Sequence, residues 1–258
     1  MIYPLATPAH IAFAGDWHAN HGWARKAVTY AASRHADVIV HLGDFGYHFQ
    51  DQFLEPVNEI LSYYKLPLLF VDGNHENFDV LYQYPVDPDT GLRQITPWIW
   101  HLPRGFRWEW EGVRFLALGG AHSIDRKGRT PGQSWWFQEA VTDADVALAV
   151  AGGTTDVLIS HDCPTGVRIP GIVEGEWRWD PEELTSSKVH QLQLRRVVDE
   201  VQPRYIWHGH FHVNYRDYAN FGYGNVRIAG LDCAGGMRAD NIELIKMDEL
   251  RIALGERL

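Results

Sequence analysis

The chain has 258 residues, 45% of them apolar, and its 33 acidic and 23 basic side chains give a formal net charge of −10. So acidic a surface repels a polyanion at long range, which excludes indiscriminate binding along duplex DNA. A local cationic site remains open, because bound divalent ions would bring their own positive charge. Two cysteines, Cys163 and Cys233, are too few for a disulfide framework and fit a reducing cytoplasm. No apolar run approaches the ~20 residues that span a bilayer, and the first residues carry no signal-peptide pattern. The expectation is a cytoplasmic protein with no membrane partner.

The first apolar run, 10–15, reads as a buried strand and is followed by helical spacing over 23–35. A strand at 37–42, a helix at 52–64 and a strand at 66–71 come next. This β-α-β-α-β order predicts an α/β core with right-handed crossovers. Segments 106–110 and 113–118 flank Glu111-Gly112, a hairpin turn. Further buried strands at 156–160 and 204–207 enclose a helix over 182–200. Shorter strands are expected near 213–218, 225–229 and 242–247. The unbroken apolar runs suit strands covered on both faces. The fold class read here is α/β, with two sheets rather than one wound sheet. With no repeat and no linker, residues 1–258 read as a single domain.

Each of the five core strands runs into residues that can bind metal. The first leads to Asp16 and His18, the second to Gly43-Asp44, and the third to Gly73-Asn74-His75-Glu76. The fourth leads to His161 and the fifth to Gly209-His210-Phe211-His212. In open α/β sheets, sites gather beyond the carboxyl ends of the strands, so the five ends should converge. In an extended segment, residues i and i+2 share a face; Asp16 and His18 would point together, as would His210 and His212. A donor set of carboxylate, imidazole and amide oxygen suits Mn, Fe or Zn better than calcium or a structural zinc cage.

These five motifs, in this order over roughly residues 10 to 215, resemble the calcineurin-like metallophosphoesterase superfamily. The resemblance implies a β-sandwich flanked by helices and two divalent metal ions, Mn first, with Fe or Zn as alternatives. It implies that Asp16, His18, Asp44 and His212 hold one ion. Asp44 would bridge to the second, completed by Asn74, His161 and His210. His75 is the implied catalytic residue, donating a proton to the leaving oxygen. The sequence departs from the family's protein phosphatases, which carry a second Asp and an Arg after Gly-Asp; here Tyr47 and His48 stand there. Segments 156–166 and 208–213 also resemble stretches of lariat-RNA debranching enzymes, which supports a phosphodiesterase branch.

The polar, glycine-rich segment 119–132 reads either as a solvated loop or as a loop over the metals. In the second case Arg126 or Arg129 meets phosphate, and Trp135 or Trp136 stacks on a base. Segment 166–180, with Trp177 and Trp179, is a weaker candidate for a lid. Cys163 lacks the Arg six positions on that a cysteine phosphatase needs, since Ile169 is there. The reading is a dinuclear phosphodiesterase acting on a small phosphate ester, with a nucleotide or a nucleic-acid end among the partners. Phosphomonoesterase, nuclease or debranching activity is the alternative, and a protein-interaction scaffold is the alternative outside enzymes.

Overall fold

The computed structural model describes residues 4–172 and 179–255. Twelve strands form two six-stranded sheets. The first holds β1 (His10–Ala14), β2 (Val38–His41), β3 (Leu68–Phe70), β4 (Arg93–Thr96), β5 (Ile99–His101) and β12 (Ile242–Lys246). The second holds β6 (Arg107–Trp110), β7 (Val113–Leu118), β8 (Val157–Ser160), β9 (Tyr205–His208), β10 (Tyr215–Asn220) and β11 (Asn225–Gly230). In each sheet four strands run parallel, and an antiparallel strand closes each edge.

Alternation along each strand sorts the core into layers. Ile11 and Phe13 of β1 join Val38, Val40, Phe115, Ile159 and Trp207 between the sheets. Ala12 and Ala14 point the other way, toward helices α1 (His21–Ser33) and α2 (Asp51–Tyr64). Small side chains at Ala24, Ala27 and Ala31 let α1 lie close on that face. Helix α2 presents Leu54, Val57 and Leu61, one apolar stripe at helical spacing. On the outer face of the second sheet, Leu116, Leu158 and Ile206 meet Leu194, Val197 and Val198 of α5 (Pro181–Val201). Each such side chain, fully buried, contributes ~1.5–3 kcal/mol. The result is two sheets face to face between outer helices, as the sequence predicts.

The other helices are short: α3 (Phe78–Leu81), α4 (Asp143–Ala151), α6 (Arg238–Asn241) and α7 (Met247–Gly255). The sequence reading missed all four, together with β4 and β5. The expected strand over 242–247 ends at Lys246, and Met247 opens α7. The hairpin is present, with Glu111 and Gly112 both at positive φ, as a two-residue turn matching the strand twist requires. No helix among the described residues is long and apolar enough to cross a membrane.

Candidate metal centre

The carboxyl ends of β1, β2, β3, β8 and β9 meet at one place. Asp16 is fully buried there, and both its oxygens accept the backbone N–H of His210 at 3.2 Å. Its Oδ2 lies 3.1 Å from His212 Nε2 and 3.9 Å from His18 Nε2. Asp44 Oδ2 is 3.7 Å from His18 Nδ1, and Asp44 Oδ1 is 3.4 Å from His161 Nε2. His161 donates its Nδ1–H to the Leu42 carbonyl at 2.7 Å, because a carbonyl can only accept. That bond orients the ring and turns Nε2 into the site, where it donates to Asn74 Oδ1 at 3.1 Å. The His210 ring stands edge-on to His161, with centroids 5.1 Å apart.

Among the described residues, two sets of side chains have donor atoms close enough to hold an ion: Asp16, His18 and His212, and Asp16, Asp44 and His161. Asn74 and His210 border the second set. The family resemblance makes Asp44 the shared carboxylate, and its two oxygens do face His18 and His161. Of the two carboxylates it is Asp16 that belongs to both sets, a sharing the sequence did not suggest.

The local backbone is not extended at these residues. His18, Asp44, His210 and His212 take φ values of 47°, 54°, 67° and 55°. Left-handed non-glycine residues cost ~1–3 kcal/mol each and persist where the surroundings hold them. Asp16 and His18 do point together, with donor atoms 3.9 Å apart, but the shared face expected of His210 and His212 is corrected: His210 turns to His161, while His212 turns to Asp16. Two glycines make room for the carboxylates. A Cβ on Gly73 would lie 2.1 Å from Asp44 Oδ1, and one on Gly209 would lie 2.2 Å from Asp16 Oδ1.

Electrostatics fit a cation. Burial opposes ionisation of Asp16, but the His212 hydrogen bond and His161 outweigh it and hold the carboxyl below its usual range. Burial likewise opposes Asp44, and His161 and His75 overcome it. Against its own burial, His161 is raised to about 10 by Asp44. The Asp16 hydrogen bond and Cys233 raise His212 to about 10. Two adjacent buried carboxylates thus call for compensating positive charge, which protonated His161 and His212 supply and which a bound divalent ion would supply in their place once those rings ligate as neutral imidazoles. With imidazole nitrogens beside them, the donor set suits divalent metal. Burial lowers His210 to about 4, keeping its imidazole neutral, the form that ligates.

Comparison with known proteins bears on this arrangement. Residues 9–214 match the calcineurin-like phosphoesterase family. The chain belongs to that family. Among solved structures, a dimetal phosphatase from Danio rerio is 13% identical, with 93% of each chain covered and a TM-score of 0.55. TT1561 of Thermus thermophilus is 14% identical, covering 93% of this chain and 99% of that one, with a TM-score of 0.52. At these identities the likeness is one of fold. No curated protein matches the sequence.

This calcineurin-like phosphoesterase surrounds its centre with groups that the motifs do not announce. Asn74 Nδ2 donates to Ser123 Oγ at 3.0 Å, and Ser123 donates to Glu139, so the amide oxygen is aimed at the site. Glu76 accepts the N–H groups of Phe45 at 2.7 Å and Gly73 at 3.2 Å, tying the second motif to the third. Asp162 accepts from His190 Nδ1 at 2.7 Å, bracing the turn after His161. Ser123 and Glu139 lie far from any motif in sequence; Glu76 ends one, and its part in holding the turns was not read.

The loop residues separate clearly. Arg129 Nη2 donates to His75 Nε2 at 2.8 Å, so this loop arginine reaches the site. Arg126 instead forks onto Glu183 at 2.8–3.1 Å. Its guanidinium lies 5.6 Å from the centre of the half-buried Trp135 ring. Trp136 is buried at 4% exposure and donates to Asp79 at 2.8 Å, so it offers no open face for a base. Cys163 is buried, and burial pushes its thiol up, which agrees with a packing role. His122 is held by Glu183, His41 is buried, and His21 and His48 line a cleft beside His18. Within the expected lid, residues 173–178, including Trp177, lie outside the described residues.

Proposed function

We propose that this chain is a phosphodiesterase of the calcineurin-like family, acting as one domain over residues 1–258. Its two divalent ions, manganese by preference, would be held by Asp16, His18, Asp44, Asn74, His161, His210 and His212. When bound, such ions polarise the phosphoryl oxygens and acidify a water for attack. The chain's own residues do the rest. Asn74 is aimed by Ser123, and His161 by the Leu42 carbonyl. Arg129 presents N–H donors beside His75, where the non-bridging oxygens and the leaving oxygen gather.

The observation carrying the diester reading is how little unpaired positive charge the loop at 119–132 offers. Arg126 and Lys127 are paired with Glu183, Asp180 and Glu182, so Arg129 is the loop cation that meets His75. Arg129 is itself paired with Asp125 at 2.8 Å. A phosphodiester carries one negative charge and a monoester close to two; modest positive charge suits the diester. Both cysteines are free, which supports a cytoplasmic setting. The test compares bis-p-nitrophenyl phosphate with p-nitrophenyl phosphate under Mn²⁺. Higher kcat/KM on the diester is expected, and a clear monoester preference would overturn the reading.

A further inference from the structure

Beside His18, between the start of α1 and the segment entering α2, lies a cleft of about 570 Å³. That volume falls in the ~300–1,000 Å³ range of small-molecule sites. Its lining combines aromatic surface from Tyr47 and Phe53 with neutral hydrogen-bonding amides from Gln50 and Gln52. His21 and His48 complete the rim, and none of the lining residues is Asp, Glu, Lys or Arg. A phosphate-rich tail or a phosphopeptide would find no cation here. An acyl chain would cover two amides that have only one bond to each other, leaving their other polar atoms unmet. A flat, uncharged heterocycle with polar edges meets both features at once.

We infer that this cleft holds the nucleoside arm of the substrate, with Tyr47 as its stacking platform. The inference rests on the phosphodiesterase reading and names the ester's organic part. Tyr47 is built for the task. It sits at φ 47°, a conformation that must be held in place, and its carbonyl accepts the Asn77 N–H at 2.7 Å. His48 packs edge-on against it with centroids 4.4 Å apart, and Asn77 donates to His48 at 3.3 Å. Tyr47 also lies within 23° of parallel to the His75 ring, with centroids 6.1 Å apart, so the platform adjoins the reacting end. Stacking expected of Trp135 or Trp136 thus passes to a residue that precedes His75 in the chain rather than follows it. Tyr47 and His48 occupy the positions where protein phosphatases of the family carry Asp and Arg. Specificity for a nucleoside arm here takes the place of that acid and that cation.

The experiment measures KM for thymidine 5′-(p-nitrophenyl phosphate) and for methyl p-nitrophenyl phosphate, which share a leaving group and differ in the other arm. In the wild-type protein with Mn²⁺ the thymidine ester should bind about 10-fold more tightly, as one stacked base allows. Tyr47→Ala should bring that KM ratio close to one, Tyr47→Phe should keep it, and Gln52→Ala should reduce it about 3-fold. A wild-type ratio near one, or a ratio that survives Tyr47→Ala, would overturn the inference. If neither ester is hydrolysed, the phosphodiesterase reading fails by itself. Saturation-transfer NMR of the thymidine ester then decides the cleft: base signals that depend on Tyr47 uphold it, and their absence rejects it.

Discussion

Arg129 and His75 are 54 positions apart in sequence, yet a guanidinium N–H of one donates to the Nε2 of the other at 2.8 Å. The bond takes the Nε2 lone pair, so a proton given to the leaving oxygen would come from Nδ1, and burial lowers the pKa of His75. His75 therefore has a cation as its partner.

This pairing makes the roles of the two residues separable. His75→Ala should lower kcat/KM by about 10²–10⁴-fold on a diester with an alkoxide leaving group. The loss should shrink on p-nitrophenyl esters, which leave without a proton. Arg129→Ala should cost about 10-fold or more on both kinds of ester, since phosphate is common to them. Steady-state kinetics of both variants on both substrates check this. Equal losses for His75→Ala on the two leaving groups would assign it to positioning.

Asp44 faces His18 with one oxygen and His161 with the other. Asp44→Asn should therefore lower metal content and turnover together, and by more than His18→Ala. Elemental analysis beside activity measurements tests the point. A fully metallated, active Asp44→Asn protein would remove the bridging assignment.

Gly73 and Gly209 each leave the space that a carboxylate of another motif fills. Gly73→Ala places a methyl group 2.1 Å from Asp44 Oδ1, which forces the turn to move. A destabilisation of about 1–3 kcal/mol is expected, with loss of bound metal. Gly128→Ala, with nothing within 4 Å of the added carbon, serves as the control and should change stability little. Urea denaturation of the two variants reads the difference.

Glu183 joins α5 to the loop through Arg126 and His122. Burial opposes its charge, but Arg126 and then His122 outweigh burial and hold the carboxyl below its ordinary value. A depressed folded-state pKa gives stability that is present above the unfolded-state pKa, near ~4.3, and is lost as pH falls through the folded value. Glu183→Ala should cost about 1–3 kcal/mol at pH 7. The gap from wild type should hold down to about pH 5 and narrow below it, as denaturation at several pH values would record.

The candidate metal-binding residues were legible because each is local: a buried strand, a glycine and a polar residue within a few positions. Arg126 and Arg129 were not separable, since their partners Glu183 and His75 lie 57 and 54 positions away and only the folded chain selects between them. Trp136 looked available until packing buried it. Helix α4 shows a different failure. Its start was written in Thr142 and Asp145, which form a reciprocal cap. The run behind them, Val146 to Ala151, is apolar throughout and carries no helical period to notice. Strands β4 and β5, of four and three residues, are too short for alternation to register.

The site straddles two sheets. Asp16, His18, Asp44 and Asn74 follow strands of the first, while His161, His210 and His212 follow strands of the second. Neither half of the chain can gather the full donor set while it folds alone. The His210 N–H bonded to the Asp16 carboxylate stitches one sheet's loops to the other's. Uptake of any metal ion by these residues is therefore expected to require that the two sheets have docked.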